Sequence, residues 1–600
     1  MVLDRTELLG AGALLVLTEL AVASRACMMG AREAAATSPD NKVQDMNKRL
    51  RKHWARIGLV AWLAAGAQAQ AAPAANAAPH LLMQDGRTAL IVDGAPFTML
   101  GIQANNSSNY PEALKKVWPA AHDIHANTVE IPVAWEQIEP VEGRFDFSYV
   151  DTLVAQARRN DMHLVLLWFG TWKNTGPSYT PEWVKFDNER FPRMVGRDGK
   201  PSYCLSPFGA ETLKADRRAF VALMSHLARV DRDRHTVLMV QVENEVGTYG
   251  LVRDFGAKAQ AAFEQDVPAA VLAHQKSPVP LAASGSWRAV YGDYADEYFH
   301  AWAIASYIEE VAKAGRTAFD LPMYVNNALR DAVEPLAPWK DNFASGGPTY
   351  DVIGIYKAAA PHIDIAAPDM YNPASAQFDA TLAGFQRPDN ALLVPEMSHA
   401  PGYARFVWQV LGRGSLGIAP FGIDYTDYSN FPLGAKEKGK PIVEPFAATY
   451  ALFGSMDRLW ARWAFEGRTH GIAEGDDRKD QSIALGAWTA TVSFREWQFG
   501  ERSWPSHPAE FPPGTEQPNG GVAIAQLGEN EFVIVGQHAR VRIGSAQKQG
   551  NGEMFARVEE GHFDAAGKWV MERNWNGDQT DYGLNLTGQP VILKVRMGRY

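Results

Sequence analysis

Residues 237–245 read VLMVQVENE, and this stretch decides how the rest of the chain is interpreted. The run from Val237 to Val242 is almost wholly apolar, which is typical of a strand buried on both faces. Glu243, Asn244 and Glu245 follow at once. Charged groups at the end of a buried strand are costly unless they face a solvated cleft. The stretch therefore predicts a parallel strand whose carboxyl end opens on a functional site.

Seven other apolar runs follow the same plan and are separated by stretches with helical spacing. In Ala219–Val230, for example, the larger apolar side chains fall on one helical face. Such alternation predicts parallel strands joined by helices, and eight of them favour an α/β fold, a closed (β/α)8 barrel. Val279–Ala283 is an alternative candidate for the fifth strand. The eight predicted strands are Phe97–Gly101, Thr128–Val133, His163–Gly170, Val237–Glu245, Pro322–Asn327, Ile363–Tyr371, Leu392–Glu396 and Gly417–Asp424.

The sequence pattern changes from alternating strands and helices to short β-prone runs after a helix-like stretch at Phe446–Phe465. Short β-prone runs separated by Gly, Asn and Pro turns then predict a smaller β-rich, sandwich-like domain. We therefore expect a catalytic barrel over residues 80–465 and an accessory domain over residues 466–600. The predicted strands of the second domain are Thr489–Phe494, Val522–Leu527, Glu531–Val535, Val541–Ile543, Met554–Val558 and Val591–Met597.

The amino-terminal segment indicates export. Met46 precedes a basic stretch, the apolar run Ile57–Gly66 and the small-residue pattern Ala67-Gln68-Ala69, which is the order of a secretory signal. The expected organisation is an over-extended start at residues 1–45, a signal peptide at 46–69 and a lead-in at 70–79. The expected location is periplasmic or secreted. The apolar run is too short for a membrane-spanning helix.

Composition narrows the class of partner. The net charge of -10 argues against nucleic acid, which requires clustered Lys and Arg. Histidines lack metal-ligand spacing, so we expect neither a catalytic metal nor a cofactor. Aromatic residues make up 11% of the chain, including 18 Trp, and their flat faces suit a carbohydrate substrate, although most of them are explained as core residues. The sequence leaves the oligomeric state open.

Two carboxylates at different strand ends are the candidate catalytic groups. Retaining hydrolysis of a glycosidic bond needs two carboxyl groups about 5–5.5 Å apart, which neighbours on one strand do not readily supply. Glu245 and Glu396 are separated by 151 positions (396 minus 245), enough for the intervening strands and helices. A lone Glu after a strand is more often a salt-bridge partner or a helix cap. Glu243 is interpreted as a residue that supports the catalytic groups rather than as a catalytic group itself.

Tyr371 ends the sixth predicted strand. We expect its hydroxyl to donate a hydrogen bond to the carboxylate that acts as the nucleophile and to keep that carboxylate ionised. The carboxyl group that acts as acid and base is expected to keep a raised pKa because it is buried. A core tyrosine with a satisfied hydroxyl is an equally good interpretation.

The barrel resembles glycoside hydrolase family 35, the β-galactosidases. Residues 240–247, VQVENEVG, are similar to that family's acid/base motif, with Val246 where a Tyr is usual. Asn127–Trp135, followed by Glu139-Pro140 and GRFDF at 143–147, is similar to the second-strand region of families 35 and 42. The resemblance covers residues 80–465.

The resemblance implies a role for each candidate residue. Glu245 would be the acid/base, Glu396 the nucleophile and Asn244 a galactose ligand. Three tryptophans, Trp135, Trp168 and Trp172, are expected around the rim of the site. The implied activity is that of a retaining exo-β-galactosidase. The arrangement of a barrel followed by a β-rich domain resembles a bacterial subgroup of the family, for which galactosyl side chains of plant xyloglucan are a candidate substrate.

Two departures from the family pattern leave the sugar open. Gly170-Thr171-Trp172 stands where family 35 carries Ala-Glu-Trp, and His399, Ala400 and Gly402 stand where a Trp is usual after the nucleophile. The alternatives are a retaining β-glucosidase or β-mannosidase and a barrel that binds carbohydrate without catalysis.

Overall fold

The computed structural model describes residues 77–276, 280–328, 330–334, 343–546 and 552–600. The predicted start and signal peptide, residues 1–69, lie outside the described residues, as does most of the predicted lead-in. Within the described part of the chain, no helix is both long enough and apolar enough to cross a membrane.

Eight parallel strands close into a barrel, which confirms the predicted fold class. They are called barrel strands 1 to 8 in chain order, and each pairs with the next. Strand 8 pairs with strand 1 through Gly417–Met99 and Ile418–Leu100 and so completes the ring. The eight strands are Met99–Gln103, Thr128–Ala134, His163–Lys173, Val237–Asn244, Met323–Asn327, Ile365–Met370, Val394–Met397 and Gly417–Pro420.

Alternation along each strand divides the barrel into an inner and an outer core. In strand 3, Val165 and Leu167 pack with interior residues of other strands, such as Leu238. Leu164 and Leu166 point outward and pack with the surrounding helices. Both faces are therefore buried, and this is why the strands read as nearly continuous apolar runs.

A small antiparallel sheet precedes the barrel and was not predicted. Its strands are His80–Gln84, Arg87–Val92 and Ala95–Phe97. Leu90 and Phe97 join the cluster of interior side chains at the start of the barrel strands, so this sheet covers the amino-terminal end of the barrel. The first predicted strand began two residues early because Phe97 belongs to this sheet.

Helices surround the barrel, and short helices lie in its loops. The predicted helix Ala219–Val230 is confirmed within Ala210–Val230, and the helix-like stretch Phe446–Phe465 is two helices that break near Met456. The α-helices are Pro111–Asp123, Trp135–Ile138, Ser148–Arg159, Glu182–Lys185, Ala210–Val230, Ala257–Phe263, Ala269–His274, Trp287–Tyr291, Ala295–Ala318, Ile353–Ala359, Ser375–Phe385, Phe406–Gly412, Glu444–Gly454 and Asp457–Phe465. Short 3-10 helices are Gly292–Tyr294, Pro401–Tyr403, Lys440–Ile442 and Gly577–Gln579.

Two antiparallel sheets follow and pack face to face as a β-sandwich. Side chains of both sheets, including Trp488 and Ile534, form one apolar cluster between them. In sheet order, the first sheet comprises Thr469–Ala473, Gly521–Gln526, Glu531–Gln537, Val591–Arg599, Glu553–Phe563 and Trp569–Asn574. The second comprises Gln481–Leu485, Trp488–Ser493, Ala539–Ser545 and Leu584–Leu586. A separate pair, Arg193–Val195 and Pro201–Leu205, lies in the loop after barrel strand 3.

The larger sheet of the sandwich also packs against the barrel. Val522 and Ile524 face the sandwich interior, whereas Ala523 and Ala525 face the core that includes the barrel helices. The contact is close at Gly471, where an added Cβ would lie 2.3 Å from the carbonyl oxygen of Trp408. The small side chains of this face let the backbone of the sheet approach the helix Phe406–Gly412 directly.

Gly471→Ala should therefore destabilise the junction between barrel and sandwich. The new methyl group collides with backbone rather than with a flexible side chain, so we expect a loss of about 1–3 kcal/mol and a lower Tm by calorimetry. Gly528→Ala is the matched control, since its Cβ would lie 3.9 Å from the nearest atom. An unchanged Tm for Gly471→Ala would contradict this account of the junction.

Candidate active site

A cavity of about 1160 Å³ opens at the carboxyl end of the barrel strands. Residues at the ends of four strands converge on its floor, namely Lys173, Glu245, Asp369 and Glu396. This is the face on which barrels of this kind build their substrate sites. Loop residues form the walls, including Asn105, Ser108, Asn174, Tyr179, Tyr249, Arg330, Asp331, Tyr371, Asn372, Gln377, Phe421, Thr426, Tyr428, Asn430 and Leu433.

The fold brings the two candidate carboxylates together. Glu245, Asp369 and Glu396 each place a carboxylate oxygen within 4.8 Å of the others. Glu245 directly follows strand 4, and Glu396 lies in strand 7. This bound applies to one oxygen of each group, and it is compatible with the separation of about 5–5.5 Å between two carboxyl groups that direct attack on an anomeric carbon requires.

Glu396 is held by two hydrogen-bond donors. The hydroxyl of Tyr371 donates to its Oε1, and Nε2 of Gln103 donates to its Oε2 at 2.9 Å. Burial and the nearby charge of Glu245 raise the pKa of Glu396 to about 7, although Lys173 and the two donors oppose the shift. Burial and Glu396 also keep the pKa of Tyr371 above its usual range, so its phenol remains a donor.

Glu245 is fixed through its backbone. Its φ of +42° lies in the left-handed region, which is rare for a residue with a side chain. Its N–H donates to Oδ1 of Asn326 at 3.0 Å, a bond that helps to hold this conformation. Lys173 places Nζ 3.7 Å from Oε2 of Glu245 and so brings a positive charge among the carboxylates.

Asp369 is a third carboxyl group on the floor of the cavity. Its two oxygens accept hydrogen bonds from Nδ2 of Asn326, at 3.1 and 3.0 Å. Burial raises the pKa of Asp369 well above its usual range, and the charges of Glu396 and Glu245 raise it further. Asn326 therefore joins Asp369 to the backbone of Glu245. No role was predicted from the sequence for Asp369, Asn326, Lys173 or Gln103, although each lies at the end of a barrel strand.

Asn244 and Glu243 are buried beside the cavity. Among the described residues, neither amide atom of Asn244 has a hydrogen-bond partner, which leaves a buried amide unsatisfied. Glu243 points away from the cavity and accepts the backbone N–H of Trp172 at 2.7 Å. Burial, followed by the charge of Asp216, raises the pKa of Glu243 well above its usual range.

The structure corrects the expectation that Trp135, Trp168 and Trp172 surround the site. All three are at most 1% exposed and none lines the cavity. Trp168 shares the outward orientation of Leu164 and Leu166, and its indole donates to Asp216 at 2.9 Å. The other two indoles donate to Glu139 and to the carbonyl of Leu205. The cavity takes its aromatic rings from tyrosines and Phe421 instead.

The comparisons with known proteins agree with a carbohydrate-active barrel. Residues 110–317 match the Glyco_hydro_42 family model, described as beta-galactosidase. A beta-galactosidase of Xanthomonas manihotis is 28% identical over 197 residues. That match spans 30% of this chain and 30% of the relative's length. Family 35 in particular stays a prediction, because the family model that matches is that of family 42.

Further matches cover the accessory region and two solved structures. Residues 446–587 match a domain of unknown function, DUF5597. Among solved structures, the beta-galactosidase of Marinomonas ef1 superposes with a TM-score of 0.41 at 11% identity and covers 61% of each chain. The beta-galactosidase of Rahnella sp. R3 gives a TM-score of 0.42 at 14% identity, over 63% of this chain and 59% of that one.

Asn326→Ala should impair turnover more than substrate binding. The change removes the acceptor for the Glu245 N–H and leaves the buried Asp369 without its donor, which costs about 1–3 kcal/mol. We expect kcat to fall by about 10- to 100-fold, with a smaller change in KM. Asn327→Ala is the matched control on the same strand, because its amide donates to the Ala328 carbonyl and does not line the cavity. Equal loss of kcat in both variants would contradict the assigned role.

Glu396→Gln should stabilise the protein above neutral pH. The folded pKa of about 7 lies above the ordinary value of 4.5, so the native state binds more protons than the unfolded state between these values. Stability therefore falls as pH rises through this window and is lowest above it. Gln carries no charge, so we expect a gain on the order of 2 kcal/mol at pH 8 and almost none at pH 4. Chemical denaturation at both pH values measures it, and a gain independent of pH would contradict it.

Proposed function

We propose that the chain is a retaining exo-β-galactosidase that removes terminal β-D-galactosyl residues from oligosaccharides or plant polysaccharide side chains, such as those of xyloglucan. One observation carries the proposal: the carboxylate oxygens of Glu245 and Glu396 lie within 4.8 Å of each other on the floor of the barrel cavity. The match of residues 110–317 to a beta-galactosidase model supports the choice of sugar. Residues 46–69 support export to the periplasm or the medium.

The surroundings of the two groups suggest their roles. Two carboxyl groups this close do not readily ionise together. Tyr371 and Gln103 both donate to Glu396, which favours its ionised form. Glu396 is accordingly the nucleophile and Glu245 the general acid.

The reaction proceeds by double displacement. Glu396 attacks the anomeric carbon while Glu245 gives its proton to the departing glycosidic oxygen, so the bond to the aglycone breaks as the ester to Glu396 forms. Glu245, now a carboxylate, then takes a proton from water, whose oxygen attacks the anomeric carbon and releases Glu396. Two inversions give net retention. Asn244, buried beside Glu245 with an unpaired amide, is the candidate ligand for a galactose hydroxyl.

Glu245→Gln and Glu396→Gln should each lower kcat by about a thousandfold or more on nitrophenyl β-galactoside, because each removes a group that exchanges a proton or forms a bond. Both are isosteric, so circular dichroism should show an intact fold. Glu112→Gln is the control, since this carboxylate is exposed on the surface. Full activity in either variant would exclude the proposed pair.

Two further measurements belong to the same test. A 2-fluoro galactosyl fluoride should leave its label on the peptide that contains Glu396, and a label elsewhere would exclude that residue as nucleophile. Nitrophenyl galactoside, glucoside and mannoside compared at equal concentration identify the sugar. We expect the galactoside to have the highest kcat/KM.

A further inference from the structure

The cavity is larger than the site of attack needs. At about 1160 Å³ it exceeds the roughly 300–1,000 Å³ of pockets that enclose a drug-sized ligand. Glu396 is 5% exposed and lies at the closed end. A terminal sugar bound there fills only the floor, and the leaving group extends outward past the loops. The walls near the mouth therefore contact the leaving group rather than the sugar that is transferred.

Exposed apolar side chains lie at that mouth. Tyr428 is 63% exposed and Leu433 is 49% exposed, and both line the cavity from the loop after barrel strand 8. Tyr249 is 45% exposed and lines it from the loop after strand 4. Strands 4 and 8 lie on opposite sides of the ring. The mouth thus carries a tyrosine on each of two facing walls.

The loop that carries Tyr428 is anchored at both ends. At its start, Asp424 accepts hydrogen bonds from the backbone and side-chain nitrogens of Asn105, both at 2.9 Å, and from Ser108 at 2.6 Å. At its end, Gly434 packs so closely on His399 that an added Cβ would lie 2.4 Å from the imidazole ring. The exposed side chains are therefore presented on a fixed support.

We propose that Tyr428 and Leu433, with Tyr249 on the facing wall, bind the sugar units of the leaving group, so that the substrate is a galactosylated oligosaccharide chain rather than a small galactoside. This inference rests on the proposed function. Aromatic rings pack well against the C–H faces of sugars, and a tyrosine hydroxyl offers a polar edge. Asn372 and Asn430 line the same cavity and supply donors and acceptors for sugar hydroxyls.

The test compares two substrates in each variant. One is a β-galactosylated tetrasaccharide, and the other is nitrophenyl β-galactoside, whose leaving group is a single ring. Tyr428→Ala should lower kcat/KM for the tetrasaccharide by about tenfold more than for the nitrophenyl substrate, chiefly through KM, which corresponds to about 1.4 kcal/mol. Leu433→Ala should change the ratio in the same direction. Tyr428→Phe keeps the ring and should restore most of the preference.

Phe186→Ala is the control, since this ring is 77% exposed and does not line the cavity. An equal loss on both substrates would overturn the inference, because Tyr428 would then act on the transferred sugar or on the fold. Octyl β-galactoside is the third substrate, and a larger loss on it than on the tetrasaccharide would overturn the inference in favour of an alkyl leaving group. If the unaltered chain cleaves no galactoside, the proposed function fails and the inference fails with it. Normal cleavage with an unchanged substrate ratio rejects the inference alone.

Discussion

Closure of the barrel is the constraint on which the site depends. Glu245 and Glu396 approach each other only because the ring is complete, and its seam is the pairing of strand 8 with strand 1. Two glycines make this seam possible. A Cβ at Gly417 would lie 2.6 Å from the Cβ of Met99, and a Cβ at Gly101 would lie 3.0 Å from that of Ala419. Larger side chains at either position would push the two strands apart.

The floor of the cavity also imposes an electrostatic constraint. Three carboxyl groups share a small volume with Lys173. If all three were ionised, their repulsion in a poorly solvated space would exceed what one cation offsets. Burial and the charges of Glu396 and Glu245 raise the pKa of Asp369, which favours its neutral form and relieves part of this repulsion. The third carboxyl group also orders Asn326, whose Nδ2 donates to both of its oxygens.

The barrel and the polar ends of its strands were predicted from simple rules, whereas the choice of Glu245 and Glu396 among those polar residues came from the resemblance to retaining barrel glycosidases. Continuous apolar runs bounded by helical stretches predict parallel strands, and polar residues at the strand ends predict the functional face. Because these runs are apolar on both faces, they do not indicate which side chains of a strand point into the barrel. Trp168 and Lys173 lie on one strand, yet only Lys173 reaches the cavity. Sequence alone did not separate them, since both faces of the strand are buried.

Other features depend on contacts between segments far apart in the chain. The three-stranded sheet before the barrel was not predicted. Its strands are stabilised by packing on the end of the barrel, and no local sequence pattern indicates that contact. Asn326 was missed for a similar reason. An Asn after a strand has many uses, and its function here depends on Asp369 and Glu245, residues of two other strands.

The sandwich contributes to the same framework and is not an isolated appendage. Asp476, in its first loop, accepts the N–H of Ser375 at 2.7 Å and a guanidinium hydrogen bond from Arg405 at 2.7 Å. Ser375 begins the helix that follows strand 6, and Arg405 directly precedes the helix that follows strand 7. These strands lead to Tyr371 and carry Glu396. The close contact at Gly471 fixes the helix Phe406–Gly412, which Arg405 precedes. The accessory domain therefore restrains the segments that position Glu396 and its hydrogen-bond donor Tyr371.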